Sequence, residues 1–247
     1  MLRGDEDRSG MRTFSEDADD PDAGLSRDSL STMIYKRLRS NLMTCAFEPG
    51  ERLNIRHLAA AFETSPTPVR EAIMQLVREG GLELRPGHEL RVPVLTVERY
   101  LKIKAVRAPL ERLATETATP LISDTTLNEL ARINEKFLSA ENKKRWKEAL
   151  SLNTEFHFTV YAASGNEVLL NTIENLWLLT GPFLINQYPS AIHPHDSAHP
   201  HLLLIDAMRR RASREAGEIV LQGLEKGSSL IVKKLTTHQA RKGKPNR

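Results

Sequence analysis

The chain of 247 residues has a single cysteine, Cys45, so it forms no internal disulfide, and a lone cysteine of this kind is expected to be a small buried hydrophobe. Aromatic residues make up only 5% of the chain and β-branched runs are few, which argues against an extensive sheet. No stretch approaches the roughly 20 uninterrupted apolar residues of a membrane helix, and the acidic N-terminus lacks the charged-then-apolar order of a signal sequence. These absences lead to the expectation of a soluble cytoplasmic protein with no membrane partner. Nucleophile elbow, phosphate loop and zinc-protease motif are also missing. An enzyme would have to be built from scattered titratable groups, His157 with Glu155 or His201, and the expectation is that the chain is not one.

What is present is a chain 40% hydrophobic and 27% charged, enough for one large or two ordinary domains. The formal net charge is +3, unevenly spread: residues 1–27 hold eight acids against four bases, and residues 233–247 hold six bases and no acid. The division expected is a disordered acidic tail over 1–28, a first domain over 29–93, a second over 96–237 and a basic tail over 238–247. Apolar residues recur at helical spacing through most of the chain, so the fold class is mainly α.

Three short helices can be drawn at the start of the folded part. The first covers 29–43, with Leu30, Ile34, Leu38 and Leu42 on one stripe. The second covers 55–63, and the turn "EPGE" at 48–51 separates the two. In "TSPTPVREAIMQLVREGG", residues 64–81, Thr67 is placed to cap and Pro68 to open a third helix over 68–79. Val69, Ala72, Ile73, Leu76 and Val77 would face inward, leaving Arg70, Glu71, Met74, Gln75 and Arg78 outward. "LELRPGHELRV" then reads as a β-hairpin turning at Pro86-Gly87. That order is the one of a winged helix-turn-helix, whose third helix enters the DNA major groove; the pattern alone also fits a helical hairpin inside a larger core.

The segment "FEPGERLNIRHLAAAFETSPTPVREAIMQLVREGGLELRPG" resembles the N-terminal domain of GntR-family transcription regulators, over about residues 29–93. The remainder resembles the FadR C-terminal (FCD) effector domain through "VRAPLERLATETA", "NTEFHFTVYAASGN" and "HLLLIDAMRRRASREA". The resemblance implies a homodimer that binds a short inverted repeat in double-stranded DNA, most often as a repressor, and responds to a small carboxylate effector in the C-terminal bundle. It carries the DNA-contacting role to Arg56, Ser65, Thr67 and Arg70, and to Gly87 and His88 at the wing tip. This sequence departs from the family pattern in having Pro66 where an arginine is common, Gly81 where a large apolar residue is usual, and Glu89 in the wing, whose charge phosphate would repel.

Six helices fit residues 96–237, with breaks at Pro120, near Asn142, at Gly165, at Pro189 to Pro200 and near Ala212. Pro109 should kink the first of them. FCD domains commonly hold a divalent metal such as zinc with one aspartate and three histidines. The resemblance places those positions on Asn153, His157, His201 and Gly223, so two of the four donors, including the anionic one, are lost. The donors left, Asn153, His157 and His201, weigh against a tightly held metal; the histidines are then pocket-lining groups that meet the effector or each other. A displaced site among His193, His195, His199 and His201 is the remaining alternative. Arg107, placed by the resemblance toward the pocket, either clamps a carboxylate effector or pairs with Glu111 one turn later. If the pocket is closed, the chain reads instead as a DNA-binding protein that has lost its effector.

Overall fold

A computed structural model describes residues 21–87, 89–191 and 199–242, with the side chains of 21–29 and of 241–242 left aside. Helix α1 (Pro21–Met43) reaches into the stretch read as a tail. Its stripe is as expected: Ile34, Leu38 and Leu42 are fully buried and pack on α3. Helix α2 (Ile55–Ala61) is capped by Asn54, whose Oδ1 accepts from the N–H of Arg56 at 2.8 Å and of His57 at 3.2 Å.

Helix α3 (Pro66–Arg78) starts two residues before the expected position. Ser65 is its N-cap residue and makes no side-chain cap bond; Thr67 lies within the first turn and caps nothing. Both prolines fit there because none of the first N–H groups of a helix has an intrahelical acceptor. Pro68, Val69, Ala72, Ile73 and Leu76 are buried. Strands β1 (Glu83–Arg85) and β2 (Glu89–Arg91) pair antiparallel as Glu83↔Arg91, Leu84↔Leu90 and Arg85↔Glu89. Gly87 turns between them at φ +80°, a conformation glycine adopts without strain. The chain after the "EPGE" turn adds to the far side of β2, through Leu53 N–H to Leu90 O and Val92 N–H to Glu51 O.

Six α-helices follow: α4 (Val97–Ala118), α5 (Asp124–Asn142), α6 (Trp146–Ala162), α7 (Glu167–Thr180), α8 (Pro200–Arg209) and α9 (Ser213–Lys242), with a 3-10 turn at Gly181–Gln187. Thr96, Ser123 and Asn166 cap α4, α5 and α7 through their side chains. Helix α4 runs unbroken through Pro109, and α9 extends into the stretch read as a basic tail. Glu167–Gln187 has the length and mean hydropathy, 1.3, of a membrane span, which the search for uninterrupted apolar runs passed over. It is a core element here: Leu169, Ile173, Trp177, Leu178 and Phe183 are buried between α1, α4 and the rest of the bundle. Cys45 is buried, as expected, and loss of water raises its thiol pKa to about 12.

Candidate DNA-binding surface and effector cavity

The outward face of α2 and α3 is arginine-bearing and uncompensated. Arg56 and His57 on α2, and Arg70, Glu71, Met74 and Arg78 on α3, are exposed, with Ser65 and Thr67 exposed at the start of α3. Among the described residues, neither Arg56, Arg70 nor Arg78 has an ion-pair partner. Gln75 is half-buried and is drawn back by a bond to Glu79. The wing is different. Arg85 pairs with Glu83 at 2.7 Å, and Glu89 pairs with Arg91 at 2.8 Å and with Arg52 at 3.5 Å. The Arg91 guanidinium holds the Glu89 carboxyl below its usual range, so the wing carboxylate comes with its own counter-charges. Gly87 is exposed at the tip, and His88 lies outside the described residues.

In the bundle, helices α4 to α9 and the 3-10 turn line a cavity of about 140 Å³. Arg107, Asn153, His157 and His201 all line it, as does Gly223, where an added Cβ would meet no atom within 4 Å. The pocket is therefore open space rather than filled core. Arg107, 5% exposed, donates from Nε to Glu111 Oε1 at 2.7 Å and from Nη1 to Thr180 Oγ1 at 2.7 Å, and lies 4.6 Å from the centre of the Trp177 ring. Glu111 also accepts from Trp177 Nε1 at 2.7 Å and from the Tyr161 hydroxyl at 2.9 Å. Of the two readings of Arg107, the ion pair with Glu111 is the arrangement adopted. Burial, reinforced by Glu111, pushes the Tyr161 hydroxyl pKa well up.

His157 is neutral on this wall: burial brings its pKa down to about 4, and the opposing effect of Glu111 does not offset it. His201 donates from Nδ1 to Asn134 Oδ1 at 3.1 Å and stacks on Phe156 with ring centres 3.9 Å apart. Asn153 has no hydrogen-bond partner among the described residues. His199 caps α8 and accepts from the His201 N–H, while His193 and His195 lie outside the described residues. These donors do not fit a divalent metal. No group of three or more His, Cys, Asp or Glu side chains is placed to hold one among the described residues, Asn153 offers only a neutral amide, and Gly223 offers nothing. Glu155, raised as an acid–base partner, is exposed on the far side of α6, away from the cavity.

Several cavity residues carry no role in the sequence reading: Glu141, Trp177, Gln187 and Tyr188. Glu141 left a trace, since it falls seven residues after Asn134 on the buried face of α5, where a charged residue breaks an otherwise apolar stripe. Its partner Tyr188, at 2.6 Å, left none.

Residues 102–226 match the FCD domain family, and residues 30–92 match the bacterial regulatory proteins of the gntR family. The HTH-type transcriptional regulator McbR of Escherichia coli is 31% identical over 180 residues, covering 71% of this chain and 81% of that one. The HTH-type transcriptional repressor RspR, also of Escherichia coli, is 21% identical over 202 residues, covering 82% and 89%. A solved structure of Escherichia coli McbR/YncC superposes with a TM-score of 0.76 at 26% identity, over 83% of this chain and 98% of that one. A putative GntR regulator from Rhodococcus shares the fold, with a TM-score of 0.69 at 18% identity.

Proposed function

This chain belongs to the GntR family of regulators and carries an FCD domain, so it is a DNA-binding transcriptional regulator and not an enzyme; from that premise we propose that it acts in the cytoplasm as a homodimeric repressor released by a small organic acid. The observation that carries the proposal is the pair of exposed arginines without ion-pair partners, Arg56 on α2 and Arg70 on α3 of the N-terminal domain. A guanidinium without an internal partner is available to grip guanine bidentately or to hold phosphate. Ser65, Thr67 and Gly87 complete the proposed contact surface, Ser65 and Thr67 through hydroxyls at the helix start and Gly87 by close approach of its backbone.

The domains proposed are the winged helix-turn-helix over 29–93 and the effector and dimerisation bundle over 96–237. In the bundle a carboxylate would be met by the Asn153 amide and the neutral His157, with His201 beside them. Arg107 contributes a charge that Glu111 already balances, so its part is to stiffen the wall. The open cavity favours this reading over a regulator that has lost its effector. In a dimer, two recognition helices must match half-sites about one DNA turn apart, and an effector that fits one dimer geometry better changes affinity by altering their spacing.

The test is operator binding by fluorescence anisotropy on the chain's own upstream DNA. Arg70→Ala is expected to weaken binding by about 1–3 kcal/mol and to blunt discrimination between operator and random duplex. Unchanged affinity and discrimination would remove α3 from the major groove.

A further inference from the structure

We propose that the effector carries a protonated amine received by Glu141, which makes the organic acid of the preceding reading, on which this rests, an amino acid. The charges on the cavity wall lead there. Arg107 and Glu111 cancel each other at 2.7 Å. Glu141, 7% exposed, is a second carboxylate on the same wall, and its one partner among the described residues is the Tyr188 hydroxyl at 2.6 Å. Neither Arg107 nor Lys226, the cations that line the cavity, pairs with it.

A carboxylate can accept about four hydrogen bonds, and a buried one held by a single neutral donor is poorly compensated. Burial accordingly raises the Glu141 pKa against the opposing pull of Tyr188. An ammonium supplies what is missing, a positive charge with three donors. The Tyr188 ring is braced by stacking on Trp146 with centres 4.6 Å apart, which fixes its hydroxyl against Glu141.

The carboxylate would fall beside His201, His157 and the unpartnered Asn153 amide, which line the same cavity as Glu141. A cavity of about 140 Å³ limits the ligand to a few heavy atoms, since one of similar volume accommodates benzene.

The experiment is calorimetry on the full chain with two matched series, the linear ω-amino acids from glycine to 6-aminohexanoate and the fatty acids from acetate to hexanoate. The expected result is that at least one amino acid of the series binds at least tenfold more tightly than the fatty acid of the same length. The preference should disappear in Glu141→Gln and survive in Tyr188→Phe, which keeps the carboxylate. Absence of any preference for the amine across the wild-type series overturns the proposal whether or not either variant folds, and so does a preference that persists in folded Glu141→Gln. Operator binding is followed in parallel. Amine-selective binding that leaves operator affinity unmoved supports this inference while ending the effector reading; a fatty acid that releases DNA without binding less tightly than its amino counterpart does the reverse.

Discussion

His157 owes its neutrality to its position. With a folded pKa of about 4 against the ordinary 6.5, the unfolded chain takes up this proton first as the solution is acidified. The stability associated with a neutral His157 is therefore fully present above pH 6.5 and is lost as pH falls from there toward 4. At about 1.4 kcal/mol per pH unit, the loss by pH 4.5 is on the order of 2–3 kcal/mol. Urea unfolding at pH 7.5 and pH 4.5 checks it: wild type should lose more stability across that interval than His157→Gln by about that margin. Equal losses would mean that water reaches the imidazole. Arg107 shows what the sequence left open at this scale. The spacing to Glu111 permitted the ion pair without requiring it, and the deciding contacts come from Tyr161, Trp177 and Thr180, which lie 50 or more positions away in the chain.

Local signals carried the helices well. The stripe in α1, the inward set of α3 and the breaks between the six bundle helices all follow from 3.6-residue spacing and from proline, glycine and capping residues, which act over a few positions. The start of α3 is ambiguous in the sequence because Pro66 and Pro68 both suit a first turn, and the family departure at Gly81 is explained by packing between distant segments. Gly81 lies against α7: an added Cβ would come within 2.9 Å of the Leu178 side chain, and at Gly80 within 3.1 Å of Leu179. Small residues here let the end of α3 dock on the bundle. Gly81→Leu is expected to destabilise the protein by about 1–3 kcal/mol through overpacking, measured by thermal or urea unfolding. In a Leu178→Ala background the same change should cost clearly less, because the side chain it meets has been shortened. An equal cost in both backgrounds would mean that the added side chain is not stopped by Leu178.

At the scale of the molecule, the same helix joins the two halves. One end of α7 belongs to the cavity, where Trp177 donates to Glu111 and Thr180 accepts from Arg107. Earlier in the helix, Glu174 and Asn175 hold Arg39 of α1 at 2.5 and 2.8 Å, and Tyr35, one turn before Arg39, bonds Glu79 at the end of α3. Gly181 continues the contact by lying directly on the backbone of Leu42 and Met43. A helix of 14 residues, about 21 Å long, thus touches both the wall that an effector would press on and the helices that set the tilt of α3. Coupling between two sites requires an element whose position both of them bias, and α7 is placed to be that element. Arg39→Ala tests it, because Arg39 touches neither the cavity nor the exposed arginine face. Operator affinity without effector should stay within about twofold of wild type, and calorimetric effector binding should be unchanged. The change in operator affinity on adding effector, of the order of 5- to 150-fold in such systems, should shrink several-fold. An undiminished response would mean that the signal bypasses Arg39, for instance through the Gly80–Gly81 contact with Leu178 and Leu179.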